Sequence, residues 1–442
     1  MGCAAEASDE LMGQVRPESF FLSEWRARRP GESRSLRRAR DLAEVLGLDD
    51  QIPPVVSVVG SKGKGTAATY ASAFLAAAGN RVVTVTSPGY RGAAERIRMN
   101  GRAVSAAELL ALAARLQEAV QALPGRADYG GYLAPTGLFT LAGVLHAEAV
   151  GAGIIVLEAG MGGRSDEISL FPATAVAITP VFAEHLGKLG DTPAEIAREK
   201  AAIVASRTRA VVTVPQPAEV WWAIEDTVAQ RLGTRTPVEV VDAGSTALPK
   251  DLQPAGLNAA NATLGCAAGR RLLDAIGQNQ PSTATLAAVL NSVRLPGRLS
   301  RHRIPGLDTE LLVDSAINQA GIAAALAVAG RWWSGIDHVL VCLPDHKDVA
   351  GAIIELAGLP VTFVRLPAEH LRFTHPLPAH WSVMDAADLT RELVSSLGRR
   401  ILTLGTVYFA GHMLDLAEAD TERLFVAHPE ALRARSHSNY TV

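Results

Sequence analysis

The sequence predicts an α/β protein of two domains, each a parallel sheet with helices on both faces, with a cleft between them. Three observations carry this. Residues 55–66, VVSVVGSKGKGT, run from β-branched Val55, Val56, Val58 and Val59 into a glycine-rich turn, and alanine-rich AATYASAFLAAAG follows at once. Strand and helix signals then alternate from 153 to 293. A second alternation begins beyond RLPGRLSRHRIPG (294–306), whose two prolines and two glycines mark the domain boundary.

Composition bounds the function. The chain has 442 residues, 48% of them apolar, which is room for two or three domains with full cores. A net charge of −3, with Lys and Arg gathered nowhere, offers no field for nucleic acid. Partners are therefore small molecules, and the chain is expected to be a monomer or a small homo-oligomer. Cys3, Cys266 and Cys342 are widely spaced and odd in number, which suits a reducing cytoplasm. The start, MGCAAEASDELMGQ, carries acids where a signal peptide needs bases, and Glu6 stands where an acylation motif needs Ser or Thr. No apolar run of about 18 residues predicts a membrane span. The expected location is cytoplasmic.

The elements follow in order. Residues 1–32 are weakly patterned and read as an extension or an opening helix. SRSLRRARDLAEVLGL (33–48) has helical apolar spacing, and Pro53-Pro54 stops it before the strand at 55. RVVTVT (81–86) is a strand ending in the turn Ser87-Pro88-Gly89, and ERIRMNGRAV (95–104) a short hairpin or a loop carrying two arginines. Helices are expected at 105–122 and 137–150, then the buried strand GIIVLE with a glycine-rich loop behind it. AVAITP (175–180) is a strand and TPAEIAREKAAIV (192–204) a helix behind a Thr-Pro cap. Strand 209–214, helix 216–232, strand 237–241 and helices 258–276 and 283–293 complete the central domain, 33–295. The last domain, 296–442, reads ELLVDS, helix, HVLVCLPD, helix, PVTFVRLP, a helix near 384–397, RILTLGT and a final helix. Trp221-Trp222 and Trp332-Trp333 read as packing under helices.

Strand, glycine loop and helix form the arrangement a phosphate needs. Gly60, Ser61, Gly63 and Gly65 free backbone N–H groups to surround phosphate oxygens, and the new helix adds its positive end. Lys64 reaches the outer phosphates and the Thr66 hydroxyl is placed for Mg²⁺. The general phosphate-loop pattern wants Gly-Lys before Ser or Thr; here Lys64 precedes Gly65-Thr66. The plainer alternative is a solvated Lys/Gly turn, which the flanking strand and helix oppose. Glu158 ends its strand where ligands of parallel sheets gather, so it can hold a metal or a water. His185 lies in a loop one strand on, within reach of a Mg²⁺ or Mn²⁺ role, although loop histidines are more often exposed or structural. Lys200, on a helix with Glu195, Arg198 and Glu199, reads from its neighbours as a solvated face.

Several motifs in one order resemble the folylpolyglutamate synthase and dihydrofolate synthase family of the Mur ligase superfamily. GSKGKGT is similar to its GTNGKGS, TSPGY to TSPHL, ERIRMNG to ERIRxNG, and LEAGMGGRSD to LEVGLGGRLDATN. EHLGKLGDTPAEIAREKAAIV resembles DHTEFLGDTIEEIAREKAGI, and NAANA, PGRL, DSAIN and DHKD follow in family order. The likeness spans about 33–412. It implies a P-loop-type central ATPase domain, a C-terminal Rossmann-like domain, and an active site in the interdomain cleft. It also implies a reaction: a carboxylate takes the γ-phosphate of ATP as an acyl phosphate, and an amino-acid amine displaces the phosphate to form an amide.

Carried over residue by residue, the resemblance makes Lys64 the phosphate lysine and Thr66 the Mg²⁺ hydroxyl. Ser87 and Glu158 fall on ligands of the first of two metal sites, and His185 on a ligand of the second. Lys200 matches a lysine carbamylated by CO₂, whose carbamate supports the metal. Asn258 and Asn261 match paired asparagines near adenine, Arg298 an arginine that reaches the γ-phosphate, and Asp314 and Asn318 the ends of DGAHN. Three departures stand on the substrate side. Ile317 replaces the DGAHN histidine, Gly89 the TSPHL histidine, and Thr136-Gly137-Leu138-Phe139-Thr140 the F-E-x-x-T motif with its aromatic and acid missing. The sequence therefore points to an ATP-dependent amide ligase with an altered acid or amine. Alternatives are a peptide-forming ligase of specialised metabolism, a nucleotide-binding relative without turnover, and a small-molecule kinase.

Overall fold

The computed structural model describes residues 17–48, 52–233, 236–367 and 371–427; the expectations for Met1-Gly2-Cys3 and the first half of the extension lie outside them. From Pro17 the expected extension is a helix, Pro17–Arg26. The described residues divide into two compact units. The larger holds 17–254, 258–293 and 422–427, and the smaller 255–257 and 294–421.

The larger unit is built on eight strands: β1 Val55–Val59, β2 Val82–Val85, β3 Ile97–Met99, β4 Arg102–Ala103, β5 Ile154–Glu158, β6 Ala175–Ile178, β7 Ala210–Thr213 and β8 Val238–Val240. Their order is β4-β3-β2-β5-β1-β6-β7-β8. From β2 to β8 every neighbouring pair is parallel. All five residues of both β1 and β5 are buried, as apolar runs covered by helices on both faces require. In register, Val58 stands beside Glu158, so the glycine loop and the acid leave the sheet at the same edge. β3 and β4 close the other side as an antiparallel hairpin. Its turn, Asn100-Gly101, has φ of 46° and 82°, the paired positive values a two-residue hairpin takes.

The smaller unit has six strands: β9 Arg298–Arg303, β10 Glu310–Asp314, β11 His338–Cys342, β12 Val361–Arg365, β13 Ser382–Asp385 and β14 Arg400–Gly405. Their order is β13-β12-β11-β14-β10-β9, all parallel but for β9. Two expectations change. Residues 298–303, read as a break, form the antiparallel edge strand β9, its apolar signal hidden by the arginines and histidine that an edge exposes. The helix expected at 384–397 is the strand β13 followed by the short helix Arg391–Ser396.

Residues 422–427 leave the expected C-terminal domain for the larger unit. Ala103 N donates to the Glu422 carbonyl at 2.8 Å and Leu424 N to the Gly101 carbonyl at 2.9 Å, extending the hairpin edge. Phe425 is 2% exposed. The tryptophans correct the packing expectation too: Trp222 is 66% and Trp332 37% exposed, while Trp333 is buried and donates to Glu310 Oε2 at 3.0 Å.

The helix that starts in the glycine loop, Lys64–Ala77, packs along the helix Asn258–Ala275. They meet tightly at Gly265, where a Cβ would lie 2.2 Å from the Ala67 carbonyl oxygen. Gly265→Ala must push the two helices apart and is expected to cost about 1–3 kcal/mol, as overpacking does. Thermal unfolding checks this, and a melting temperature equal to the parent's would show that the helices yield freely.

Candidate active site

β1 delivers the glycine loop. Gly60 and Gly63 have φ of 136° and 89°, which a side chain resists. Space forbids one as well: a Cβ on Gly60 would fall 1.9 Å from Thr179 Oγ1, and on Gly63 2.2 Å from Asn261 Nδ2. Gly63 precedes Lys64–Ala77 and no side chain caps that helix, so its first N–H groups keep their bonding capacity for an anion. Thr179 Oγ1 beside the loop is buried without a hydrogen-bond partner.

Two amines meet in this loop. Lys64 Nζ donates to the Gly60 carbonyl at 3.0 Å, and Lys200 Nζ donates to the same oxygen at 2.8 Å. Lys200 also pairs with Glu184 at 2.7 Å. It is 1% exposed, which overturns the reading of a solvated helix face. The helix Pro193–Ala201 turns Ile196, Ala197 and Lys200 inward together, and the charges of Arg198 and Glu199 around them concealed that stripe. Burial, then the Lys64 charge, holds the Lys200 ammonium below its usual range. Glu184 was missed in the sequence, although it adjoins His185 and fills the place of the acid in DHTEF. His185 itself is exposed, with φ of 47°. Thr66 Oγ1, fully buried, donates to Asn258 Oδ1 at 3.1 Å, which ties the loop helix to the start of Asn258–Ala275.

Ser87 and Glu158 come together at the ends of β2 and β5: Ser87 N donates to Glu158 Oε2 at 3.0 Å. Glu158 is 5% exposed. Arg96 of ERIRMNG donates from Nη2 to Ser87 Oγ at 3.1 Å, and its guanidinium lies 4.0 Å above the Phe139 ring. Phe139 stacks on Phe21, centroids 4.0 Å apart. Arg96 has no role that its sequence neighbours reveal; the motif ERIRMNG is its only signal. The buried Glu158 carboxylate and the half-buried Ser87 hydroxyl fit a hard cation such as Mg²⁺, which takes one or two protein ligands and fills the rest with water and phosphate. Among the described residues no group of three or more His, Cys, Asp or Glu forms an all-protein metal cage.

The glycine-rich loop behind Glu158 carries a second ionic cluster. Arg34 Nη2 donates to the Met161 carbonyl at 2.8 Å and to Ser165 Oγ at 3.3 Å, while Nη1 lies 3.4 Å from both Asp166 and Glu167. Burial, then the Asp166 charge, raises the Glu167 carboxyl to about 7.

In the smaller unit the carried-over residues also assemble. Arg298 Nη1 donates to Ser315 Oγ at 3.1 Å, Leu299 N to Asp314 Oδ2 at 2.8 Å, and Asn318 caps Gln319–Trp332 by accepting from Gly321 N at 3.0 Å. Ile317, between them, packs against this unit's apolar core.

No protein-family model matches the chain. It is 38% identical over 175 residues to a probable bifunctional folylpolyglutamate synthase/dihydropteroate synthase of Haloferax volcanii, covering 40% of this chain and 20% of that one. It thus spans about a fifth of the length of that archaeal relative and a similar share of its Halobacterium salinarum counterpart. Against the dihydrofolate synthase/folylpolyglutamate synthase of Mycobacterium tuberculosis it is 28% identical over 387 residues, 79% of this chain and 77% of that one. The structure of the Mycobacterium tuberculosis folylpolyglutamate synthase complexed with ADP superposes with a TM-score of 0.75 at 22% identity, covering 91% of this chain and 99% of that one. The likeness is one of fold: α/β, with mostly parallel sheets of eight and six strands. The relatives that this chain resembles are folylpolyglutamate synthases and dihydrofolate synthases.

Two outcomes follow. Glu184→Ala removes the partner of a buried ammonium, and such losses cost about 3–5 kcal/mol. Chemical denaturation should show it; a loss under about 1 kcal/mol would mean that the Gly60 carbonyl suffices for Lys200. Glu167 titrates higher folded than its ordinary 4.5, so its stabilising share is complete below 4.5 and lost as pH rises through about 7. Glu167→Gln should therefore match the parent near pH 5 and exceed its melting temperature near pH 8. A Gln variant less stable at pH 8 would contradict this.

Proposed function

We propose that the chain is an ATP-dependent carbon–nitrogen ligase that activates a small-molecule carboxylate as an acyl phosphate and joins it to an amino-acid amine. The convergence of Lys64 and Lys200 on the Gly60 carbonyl carries the reading. It sets the cationic Lys64 in a glycine loop at a helix N-terminus, the setting that polyphosphate charge calls for, with the buried Lys200 amine beside it. Lys64 steadies the outer phosphates. Thr66, Ser87 and Glu158 would hold Mg²⁺, and His185 a second ion. When bound, these ions neutralise charge that builds on the transferring phosphoryl group. Asn258 and Asn261 are assigned to adenine, and Arg298, Asp314 and Asn318 to the nucleotide.

Lys200 is assigned a carbamate in the working state. The unprotonated form of the Lys200 amine attacks CO₂ at carbon; the C–N bond forms as one C=O π bond opens onto oxygen, and the N–H proton passes to the Glu184 carboxylate 2.7 Å away. The lysine's low exposure and depressed proton affinity support this. A carbamate carbonyl signal from isotope-labelled bicarbonate, absent in Lys200→Arg, would establish it, and its absence from the parent would remove it.

Thr136 favours an acid other than folate, since the aromatic of its motif is missing there. The deciding assay is Mg²⁺-dependent ADP release from the purified chain with tetrahydrofolate, dihydropteroate or other carboxylic acids plus pooled amino acids. Amide formation with Lys64→Ala slower by about 10²–10³ is expected. Tight ATP binding with no turnover on any pair would leave a nucleotide-binding protein, and a stable phosphorylated product without amide a kinase.

A further inference from the structure

Against the motifs quoted above, the chain lacks an acid at Gly137 and gains one at Glu167, where LEVGLGGRLDATN has alanine. The fold puts these two positions together. A Cβ on Gly137 would lie 2.5 Å from Glu167 Cγ and Cδ and 2.8 Å from Oε1. One carboxylate-bearing side chain fits this spot, and two do not. The helix Pro135–Ala149 has no acid in its first turn and no side-chain cap, so the Glu167 carboxyl stands against an uncapped, electropositive helix start. Arg34 reaches the same carboxyl and also grips Met161 and Ser165.

We propose that Glu167 is a positioning residue that supplies, from the loop, the carboxylate for which position 137 has no side chain. With Arg34 it sets the glycine-rich loop that follows Glu158. The charges facing it are Arg34 and Asp166, and the first turn of Pro135–Ala149 contributes none. Lys64 donates to the Gly60 carbonyl and Thr66 to Asn258, outside this cluster. What Glu167 governs is the loop beside Glu158, where the activated acid must meet the metal side of the site. This last step rests on the ligase reading; the exchange of one carboxyl between two positions does not.

The test is a swap in the whole chain: Glu167→Ala, Gly137→Glu and the double variant. Glu167→Ala is expected to raise KM for the acid about tenfold with KM for ATP within about twofold. Gly137→Glu alone should lower the melting temperature, because two carboxyls compete for one space. The double variant should regain both the melting temperature and the acid KM. Additive melting shifts, or an unmoved acid KM in Glu167→Ala, would overturn the proposal. If the parent turns over no acid, the ligase reading fails by itself, and the melting temperatures of the four proteins decide the swap.

Discussion

The Gly60 carbonyl oxygen, shared by Lys64 and Lys200, is the interaction on which the rest of the site depends. One acceptor holds two amines that repel each other by a few kcal/mol if both are charged. Three features make the arrangement tenable. Glu184 offsets charge on Lys200, burial disfavours a second full charge, and the glycine backbone lets the carbonyl point inward. Each comes from a different stretch of chain, after β1, after β6 and on Pro193–Ala201. The parallel register of β1, β5 and β6 brings those stretches to one edge. The sheet order is thus a precondition of the electrostatics.

Much of this was legible in the sequence because it is local. The strand–loop–helix unit shows in twelve consecutive residues, and the strands of both sheets show as apolar runs, since strands covered on both faces need little else. What was illegible is what depends on neighbours distant in sequence. Lys200 reads as solvated because three of its near neighbours carry charge, and only the pitch of Pro193–Ala201 separates the inward stripe from the outward one. The edge strands β9 and β13 were missed because exposed edges dilute the apolar pattern. The return of 422–427 to the hairpin had no signal at all, as β-pairing at an edge is read through the backbone.

The candidate site divides the same way. Lys64, Thr66, Ser87 and Glu158 stand at strand ends or helix starts, where type and place already imply chemistry. Arg96, Arg34, Glu184 and Glu167 act through partners many residues away: Arg96 through Ser87 and Phe139, Arg34 through the loop at 161–167. Their side chains alone say nothing of that.

The departures from the family motifs are also physically uneven. Ile317 packs against the apolar core of its unit and offers no polar group. Gly137 is different, because the space it leaves is filled by a buried carboxyl whose ionisation opposes folding at neutral pH. A core optimised for stability would not place an acid there when alanine suffices. Arg34 and the open helix start offset part of that cost without cancelling it, since the carboxyl still titrates far above an exposed glutamate. Local destabilisation of this kind collects where a group is needed for its charge or its proton. Under the proposed ligase function, the loop behind Glu158 is therefore where a buried carboxyl is retained for its charge, whereas Ile317 offers packing alone.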